Sequence, residues 1–243
     1  MRRFGPLVIA AALVLLTFGA YRLADVLRAA PPVIDGPSGS VLYASDFEIA
    51  PEEWDTYDGR LSARITDGIL KIDVGDVDSA PFVPTRWYFG DFDAQVIAAA
   101  VGGPPVNGYG IVFRMRDAGD YYSFLISSDG YYRVARAIDG IEREISTWIP
   151  SDAINVEFGS PNVLGVRGVG DQFTFSINGQ PVELCLPDDP AGQSTYSAGR
   201  CFGTMTPTLI DATHAAGQLG LIAVAEDEPD VSIVFDNLVV TMP

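Results

Sequence analysis

Apolar and polar side chains alternate with a period of two along the stretch from Gly108 to Trp148. The two alternating sets at its start are Tyr109, Ile111, Phe113 and Met115 against Gly110, Val112, Arg114 and Arg116. A period of two places one set in a core and the other on the opposite face of a sheet. Asp117 to Asp120, Asp129-Gly130 and Asp139-Gly140 predict three tight turns. The stretch therefore predicts a four-stranded antiparallel meander, whose apolar face needs a second layer to cover it.

Strand-forming segments continue on both sides of the meander. They are Val41 to Phe47, Leu61 to Thr66, Ile69 to Val74, Phe92 to Val101, Val163 to Arg167, Gln172 to Ile177, Pro181 to Leu184, Leu219 to Ala225 and Val231 to Met242. Asp67-Gly68 and Asn178-Gly179 are strong hairpin signals between neighbours. No helical period lasts longer than two turns after Ala30. The pattern predicts an all-β fold made of two antiparallel sheets.

The N-terminus carries a different pattern, because 18 uncharged residues, Phe4 to Tyr21, follow Arg2 and Arg3. At about 1.5 Å per residue they form ~27 Å of helix, close to the hydrocarbon thickness of a bilayer. The preceding charges place the N-terminus in the cytoplasm and the rest outside. Small residues for signal cleavage are poorly placed, which favours a retained single-pass transmembrane anchor over its alternative, a cleaved signal peptide. The predicted divisions are an anchor with a helical extension (1–30), a Pro/Gly/Ser linker (31–40) and a β-sandwich domain (41–243).

The charge balance limits the partners of the exported part. The chain has 15 Lys and Arg residues against 32 Asp and Glu residues, a formal net charge of -17. Such a surface repels phosphate backbones and anionic lipid surfaces. Nucleic acid is therefore not expected as a partner.

The two cysteines, Cys185 and Cys201, lie in one polar segment with 15 residues between them. In an oxidising compartment this spacing favours a disulfide that staples the loop and stabilises it by roughly 3 kcal/mol. The alternatives are two free thiols or a pair of metal ligands. Two sulfurs without nearby histidines make a poor zinc site, so the disulfide is the prediction, conditional on export.

Three pieces of the sequence together carry a family resemblance. They are the opening strand that ends YASDF, the block GYGIVFRMRDAGDYYSFLISSDGYYRV, and the series NGQPVEL, GQLGLIAV and VFDNLVV. This order resembles the concanavalin A-like lectin/glucanase superfamily, particularly laminin-G-like modules and the noncatalytic relatives of family 16 glycoside hydrolases. The resemblance covers about Val41 to Pro243 and implies a two-sheet jelly roll. It also implies that the first and last strands pair, and that one concave face binds glycans.

The resemblance also implies candidate metal and ligand residues. Asp46 and Asp236 match the positions where relatives hold a structural Ca²⁺, an ion that prefers carboxylate and carbonyl oxygens; either aspartate could instead cap a turn or pair with an arginine. Aromatic and arginine side chains on the central sheet are candidate sugar ligands, and they are Arg114, Arg116, Tyr121, Tyr131, Arg133 and Trp148, with Trp87 and Tyr88 at strand ends. The alternative is that these arginines stack on the rings of their own sheet without any ligand.

Catalytic patterns are weak in this sequence. A glycosidase needs two carboxylates across the scissile bond, and the E-x-D-x-x-E strand motif of active family 16 enzymes does not occur. Glu142 and Glu144 share one strand face, but the sequence places no third acid beside them, and the acids from Glu226 to Asp230 read as a solvated loop. His214, the only histidine, has no neighbouring triad partners. We therefore predict no catalytic residue.

Together these features predict a membrane-anchored extracytoplasmic binding module that is not an enzyme, with a glycan or a partner protein as its ligand. Membrane lipid would contact residues 4–21. No cofactor is predicted beyond the structural Ca²⁺. The first alternative is an accessory subunit of a membrane complex, because Gly5, Ala12 and Gly19 could form a small-residue packing face on the helix. The second alternative is a polysaccharide hydrolase whose acids come from distant strands.

Overall fold

The computed structural model describes residues 32–49, 53–189, 192 and 196–243, which form twenty β-strands. In chain order the strands are β1 (Val33–Ile34), β2 (Val41–Ser45), β3 (Leu61–Thr66), β4 (Ile69–Val74), β5 (Phe82–Phe89), β6 (Phe92–Gly102), β7 (Gly108–Asp117), β8 (Asp120–Ile126), β9 (Tyr131–Ile138), β10 (Ile141–Pro150), β11 (Asn162–Val169), β12 (Gln172–Ile177), β13 (Gln180–Val182), β14 (Leu184–Leu186), β15 (Tyr196–Ser197), β16 (Arg200–Cys201), β17 (Thr204–Thr206), β18 (Leu209–Ile210), β19 (Gly217–Val224) and β20 (Val231–Thr241). The predicted all-β class is confirmed.

Two large sheets form the sandwich. The seven-stranded sheet has the order β1-β5-β19-β7-β8-β9-β10. The nine-stranded sheet has the order β13-β12-β11-β6-β20-β4-β3, with β18 beside β12 and β2 beside β20. All pairs are antiparallel except that of β1 with β5. The first long strand, β2, lies antiparallel to the last, β20, as the resemblance implied.

The central meander is present as predicted. Strands β7 to β10 are sequential neighbours in the seven-stranded sheet. Asp139 and Gly140 both have positive φ, at 51° and 78°. Asn178 and Gly179 behave in the same way, at 51° and 75°. Both pairs thus form the tight turns that glycine and Asx residues tolerate best. Strand β6 lies between β11 and β20, the interior position that its apolar sequence predicted.

Aromatic rings fill the space between the sheets. Phe113 on β7 stacks on Tyr122 of β8, with ring centroids 5.2 Å apart. Phe173 on β12 approaches Phe113 from the opposite sheet, also at 5.2 Å, and Phe124 meets Phe175 at 5.0 Å. Offset and tilted pairs at these distances are favourable beyond the area they bury. These cross-sheet pairs hold the two layers together.

The predicted alternation along β7 breaks at Arg114. It holds from Tyr109 to Phe113, but Arg114 adopts a left-handed φ of 52°, and the pairing with both neighbouring strands shifts register at this point. A bulge of this kind re-aims the side chains that follow it. Arg114 therefore turns into the sandwich, where it is 1% exposed, and Met115 turns outward. The expectation that Met115 faces the core and Arg114 the opposite face was wrong.

Cys185 and Cys201 form the predicted disulfide, with Cα atoms 5.5 Å apart. Cys185 lies in β14, which pairs with β17, and Cys201 lies in β16, which pairs with β15. The bond therefore joins two small ribbons that belong to neither large sheet. Cys185 is fully buried, so the disulfide fixes these ribbons to the core.

The sandwich begins earlier in the chain than the predicted boundary. Val33–Pro243 forms one compact unit, and β1 lies inside the segment 31–40 that the sequence assigned to a linker. The backbone N–H of Gly39 donates to the carbonyl oxygen of Met242 at 2.8 Å. The hydroxyl of Ser38 donates to the carbonyl oxygen of Pro243, also at 2.8 Å. The N-terminal segment of the sandwich and the C-terminal residues therefore lie together at one end.

The predicted anchor at 4–21 and its extension to residue 30 lie outside the described residues. Within the part of the chain that the structure describes, no helix has the length and apolar character needed to span a bilayer.

Candidate functional site

The outward face of the seven-stranded sheet brings together an apolar patch and a charged cluster. The patch, called the outer apolar cluster, consists of Val112, Met115, Tyr121, Leu125, Ala137, Ile222 and Val224, with Phe82 and Trp148 packed against it. Two rows of residues cross β8, β9 and β10 on this face, namely Tyr121-Ala137-Glu142 and Ser123-Ala135-Glu144. Strand register thus places two glutamates beside Arg133, which projects from β9 opposite Leu125.

Arg133 is the centre of the charged cluster. Its Nη1 lies 2.9 Å from Glu142 Oε1 and 3.6 Å from Glu144 Oε1, and its Nη2 lies 3.9 Å from Glu226 Oε1. The guanidinium carbon lies 5.2 Å from the centre of the Trp148 ring. A guanidinium over an indole face gains cation–π attraction. Arg133 therefore interacts with three carboxylates and stacks on one aromatic ring.

Glu226 supplies the third acid of this cluster, from the loop that follows β19. Burial raises the pKa of Glu226, and the attraction of Arg133 opposes that rise only in part. The negative charges of Glu142, Asp227 and Glu144 raise this pKa further. Its Oε1 atom is buried and has no hydrogen-bond partner among the described residues. The predicted acidic loop is therefore exposed at Asp227 and Glu228 and only half-buried at Glu226, whose side chain is 35% exposed.

The middle of the outward face is closed to ligands. Ser123 and Ala135 are both 0% exposed. The rings of Phe82 and Tyr121 meet at 5.9 Å on one side, and the ion pair between Arg133 and Glu142 lies on the other. Burial raises the pKa of Tyr121, with a further contribution from the charge of Glu142. The larger side chains around them therefore cover Ser123 and Ala135.

An open cleft lies at one end of this face, beyond Trp148. It has a volume of about 230 Å³. Its lining consists of Val106, Asn107, Ser127, Asp129, Tyr131, Trp148 and Glu226. We call it the Tyr131–Trp148 cleft. Tyr131 is 38% exposed, so its ring is accessible to a ligand. Two aromatic rings beside a few polar groups have the composition of a small-molecule recognition site.

Two loops are fixed to one another beside the cleft. Asn107 accepts the backbone N–H of Ser128 at 3.1 Å and donates to the Pro104 carbonyl at 2.7 Å. Asp129 donates its backbone N–H to the Pro105 carbonyl at 3.1 Å. The Ser127 hydroxyl donates to the carboxylate of Asp129. The β6–β7 and β8–β9 loops therefore form one rigid wall, which presents the Asp129 carboxylate to the cleft.

The structure brings four of the six candidate ligand residues together and places the other two, Arg114 and Arg116, elsewhere. Tyr121, Arg133 and Trp148 meet in the charged cluster, and Tyr131 and Trp148 line the cleft. Arg114 lies between the sheets, with its guanidinium carbon 5.7 Å from the Phe92 ring and 5.4 Å from the Phe173 ring. It donates to the carbonyls of His214 and Gly170. Arg116 is exposed on the strand end near His214 and lowers the pKa of that histidine. Trp87 is 40% exposed and lines a different pocket, beside β2.

The two candidate calcium ligands occupy a different part of the molecule. Asp46 Oδ1 accepts the backbone N–H groups of Glu48 and Ile49, at 3.1 and 3.4 Å, and Asp236 Oδ1 accepts that of Asn237 at 2.7 Å. Over the described residues, no three His, Cys, Asp or Glu side chains come together as a metal-binding group. A Ca²⁺ ion here would need carbonyl and water oxygens for most of its six to eight ligands. Calcium at Asp46 and Asp236 stays a prediction.

His214 packs at the edge of the core. Its ring meets Tyr122 edge-on at 5.4 Å, and the residue is 4% exposed. Burial lowers its pKa, an effect that the charge of Asp120 opposes. The Tyr122 hydroxyl donates to Asp211 at 2.8 Å instead of to the imidazole. Among the described residues neither ring nitrogen has a hydrogen-bond partner, so this buried histidine has no triad geometry there.

Sequence reasoning missed Glu226, Asp129 and Asn107. Asn107 and Asp129 both lie in short loops, and only the sheet order brings those loops together. The spacing of Glu142 and Glu144 indicates that they share one strand face, but the third acid of the cluster comes from a loop more than eighty residues later in the sequence. The one available signal was Asp129-Gly130, which fixed the turn that carries Asp129.

Comparison with solved structures shows the fold. The chain is similar to the carbohydrate-binding module CBM66 from Bacillus subtilis, with 15% identity, 78% of this chain and 95% of that chain covered and a TM-score of 0.55. It is also similar to a Bacillus subtilis protein of unknown function with a galectin-like fold, at 14% identity, 84% and 97% coverage and a TM-score of 0.54. A third similar structure is the apo Crh5 transglycosylase, at 17% identity, 89% and 90% coverage and a TM-score of 0.55.

These likenesses confirm the expected concanavalin A-like jelly-roll sandwich. The similar structures include both a binding module and an enzyme, so the fold does not decide between these activities. No protein-family model and no curated protein sequence matches the chain.

Proposed function

We propose that this chain is a noncatalytic glycan-binding module whose ligand occupies the Tyr131–Trp148 cleft. The observation that carries the proposal is the position of two accessible aromatic residues and two carboxylates around one cleft of about 230 Å³. Sugar rings present apolar C–H faces and hydroxyl edges, so they bind where aromatic faces adjoin hydrogen-bonding groups. The similarity of the fold to a carbohydrate-binding module supports the proposal.

The three acids around Arg133 do not form the open pair that a glycoside hydrolase needs. Glycoside hydrolases need two carboxylates on either side of an open groove, about 5 to 5.5 Å apart for retention and wider for inversion. Here Glu142, Glu144 and Glu226 all face the same guanidinium, that of Arg133. The floor between them, at Ser123 and Ala135, is fully buried. A sugar cannot enter between these acids without displacing the ion pairs.

We further propose that the module works outside the cytoplasm, held to the bilayer by the apolar segment 4–21. The disulfide between Cys185 and Cys201 supports this location, because such bonds persist in oxidising compartments. A C-terminal reporter enzyme that folds only under oxidising conditions tests the orientation. Activity of the fusion supports an outside domain, and an inactive but intact fusion contradicts it.

The glycan proposal is tested by binding. The full chain, purified in mild detergent, is titrated against a panel of oligosaccharides, and the substitution Tyr131→Ala should weaken any observed affinity by about tenfold or more. Phe202→Ala is the matched control, since Phe202 is 60% exposed and lies outside the cleft lining. Binding that is unchanged by Tyr131→Ala would move the site elsewhere.

Two further readouts separate the alternative functions. Reducing ends should not accumulate when the bound glycan is incubated with the protein, whereas their release would establish a hydrolase. Mild detergent extraction followed by mass spectrometry should recover the chain without stoichiometric partners. Recovery of a discrete complex would support the accessory-subunit alternative.

A further inference from the structure

The Tyr131–Trp148 cleft leaves two kinds of polar group for a ligand, carboxylates and aromatic side chains that can donate a hydrogen bond. Both polar atoms of the Asn107 side chain are engaged by the loops, through Ser128 and Pro104. The hydroxyl of Ser127 donates to Asp129. The charged groups left for a ligand are therefore the carboxylates of Asp129 and Glu226, which accept hydrogen bonds and carry negative charge. The Tyr131 hydroxyl and the Trp148 indole N–H can donate to the hydroxyl groups of a sugar.

One of these oxygens lacks the partner that a buried polar atom normally has. Glu226 Oε1 is buried, and none of the described residues donates a hydrogen bond to it. Its one charged neighbour is the Nη2 atom of Arg133 at 3.9 Å, beyond hydrogen-bond distance. Buried polar atoms in folded proteins are nearly always hydrogen-bonded. The Glu226 side chain as a whole is 35% exposed and lines the cleft, so a ligand donor can approach this carboxylate, which Arg133 pairs incompletely.

The charge around the cleft favours a positive ligand. Arg133 is the cation of the cluster, and Glu142 and Glu144 already lie close to it, at 2.9 and 3.6 Å. Glu226 lies farther from Arg133 than these two acids, at 3.9 Å, and Asp129 forms no ion pair among the described residues. Tyr131 and Trp148 add two π faces, which attract cations as well as apolar surfaces. Carboxylates beside aromatic rings are the chemistry that recognises an ammonium group.

We propose that the cleft binds the ammonium group of an amino sugar, and that it discriminates against acetylated and acidic sugars. This inference rests on the proposed glycan-binding function. An acetylated amine has lost its charge, and a uronic acid would place a carboxylate against Asp129 and Glu226. The cleft volume of about 230 Å³ lies below the usual 300 to 1,000 Å³ of drug-sized sites. One sugar residue, rather than an extended chain, is the unit recognised.

The test uses four probes on the full chain in detergent, by calorimetry at neutral pH. The probes are a glucosamine oligosaccharide with free amines, its fully N-acetylated counterpart, a uronic acid oligosaccharide of equal length, and choline as an ammonium without a sugar. The free-amine oligosaccharide should bind about tenfold or more tightly than its acetylated counterpart, and the uronic acid oligosaccharide should not bind. Choline should bind more weakly than the amino sugar, because it lacks the hydroxyl edges.

Glu226→Gln should reduce the affinity for the free-amine probe by about tenfold and leave that for the acetylated probe nearly unchanged. Glu228→Gln is the matched control, because it removes the same charge from an exposed position in the same loop. Asp129→Asn gives a second variant from another wall of the cleft, so the test does not depend on the folding of one protein. Thermal unfolding of each variant checks the fold.

The possible failures are distinguishable. Equal affinity for free and acetylated oligosaccharides would overturn the ammonium inference and leave glycan binding intact. Choline that binds as tightly as the amino sugar would keep the ammonium site but overturn the sugar as its source. Loss of binding to every oligosaccharide tested, with the fold intact, would overturn both the inference and the proposed function.

Discussion

Arg133 on β9 stacks over Trp148 on β10, with its guanidinium carbon 5.2 Å from the ring centre, and this contact joins the charged cluster to the Tyr131–Trp148 cleft. The same indole therefore contacts the arginine and lines the cleft wall. The arginine is held in turn by Glu142 and Glu144. The geometry of the cleft consequently depends on ion pairs that no ligand needs to touch.

Replacement of Arg133 tests this dependence. Arg133→Ala removes the cation that three carboxylates share. We expect the free energy of unfolding to fall by roughly 2 kcal/mol. This loss is smaller than that for a fully buried ion pair because the carboxylates are partly exposed. Urea unfolding followed by tryptophan fluorescence measures the change. Arg60→Ala is the control, since its ion pair with Asp76 is exposed and should contribute under about 1 kcal/mol. If Arg133→Ala lowered the free energy of unfolding no more than Arg60→Ala does, Arg133 would contribute no more to stability than an exposed arginine.

Arg114 should be the most sensitive arginine in the chain. Arg114→Ala leaves a cavity between Phe92 and Phe173 and removes the donor to the Gly170 and His214 carbonyls. We expect a loss of about 3 kcal/mol or more in the free energy of unfolding. Two residues further on, Arg116 is exposed, so Arg116→Ala should change stability by less than about 0.5 kcal/mol. Similar values for the two variants would contradict the inward position of Arg114.

The disulfide should account for a large part of the stability of the ribbons. The double variant Cys185→Ala and Cys201→Ala removes a bond between residues 16 apart in sequence, which corresponds to roughly 3 kcal/mol in the chain-entropy model. Urea midpoints of the wild-type chain should fall when a reductant is added. The double variant should show no response to the reductant. A urea midpoint of the wild-type chain that does not change when the reductant is added would contradict the prediction.

Asp211 should make stability depend on acid pH. Burial alone would raise its pKa, but the hydrogen bonds from Thr213 and Tyr122 and the charge of Arg136 outweigh burial, so the pKa of Asp211 is lowered. A carboxylate with a lowered pKa stabilises the fold above its unfolded value of about 3.9, and this contribution is lost as the pH falls through the folded pKa.

We therefore expect Asp211→Asn to destabilise the fold by roughly 2 kcal/mol at neutral pH. The difference in the free energy of unfolding between Asp211→Asn and the wild type should become smaller below about pH 4. Unfolding free energies measured from pH 7 to pH 3 follow this change. Asp58→Asn, at an exposed ion pair with Arg64, controls for general charge effects. A difference that is constant with pH would show that the Asp211 charge contributes nothing.

Most of the architecture followed from local sequence signals. The period of two and the Asx-Gly pairs identified the meander, the β3–β4 hairpin and the β12–β13 hairpin, because both signals act between neighbours in the chain. Strand β5 was not predicted; Pro84 and Arg86 interrupt its apolar pattern, and its pairing with β19 is distant in sequence. The short ribbons around the disulfide were missed for a similar reason, since two-residue and three-residue strands carry no period.

The site was much less accessible to sequence reasoning. Tyr131, Arg133 and Trp148 could be placed because they lie on strands of the meander with a readable alternation. Arg114 could not, because a single residue with a positive φ reversed the faces after Phe113. Glu226 joins the cluster only through the position of β19 inside the sheet, and an arrangement of that kind depends on tertiary pairing that no local pattern specifies.

The shared location of residues 38–39 and 242–243 has a practical meaning for assays. Strand β19 runs from that end of the sandwich to the end with the cleft, over about 23 Å for its eight residues. A support or a tag attached at the C-terminus therefore lies at the opposite end of the sandwich from the cleft. An immobilised sample should keep the end with the cleft free, which makes surface-capture measurements with a C-terminal tag a suitable format.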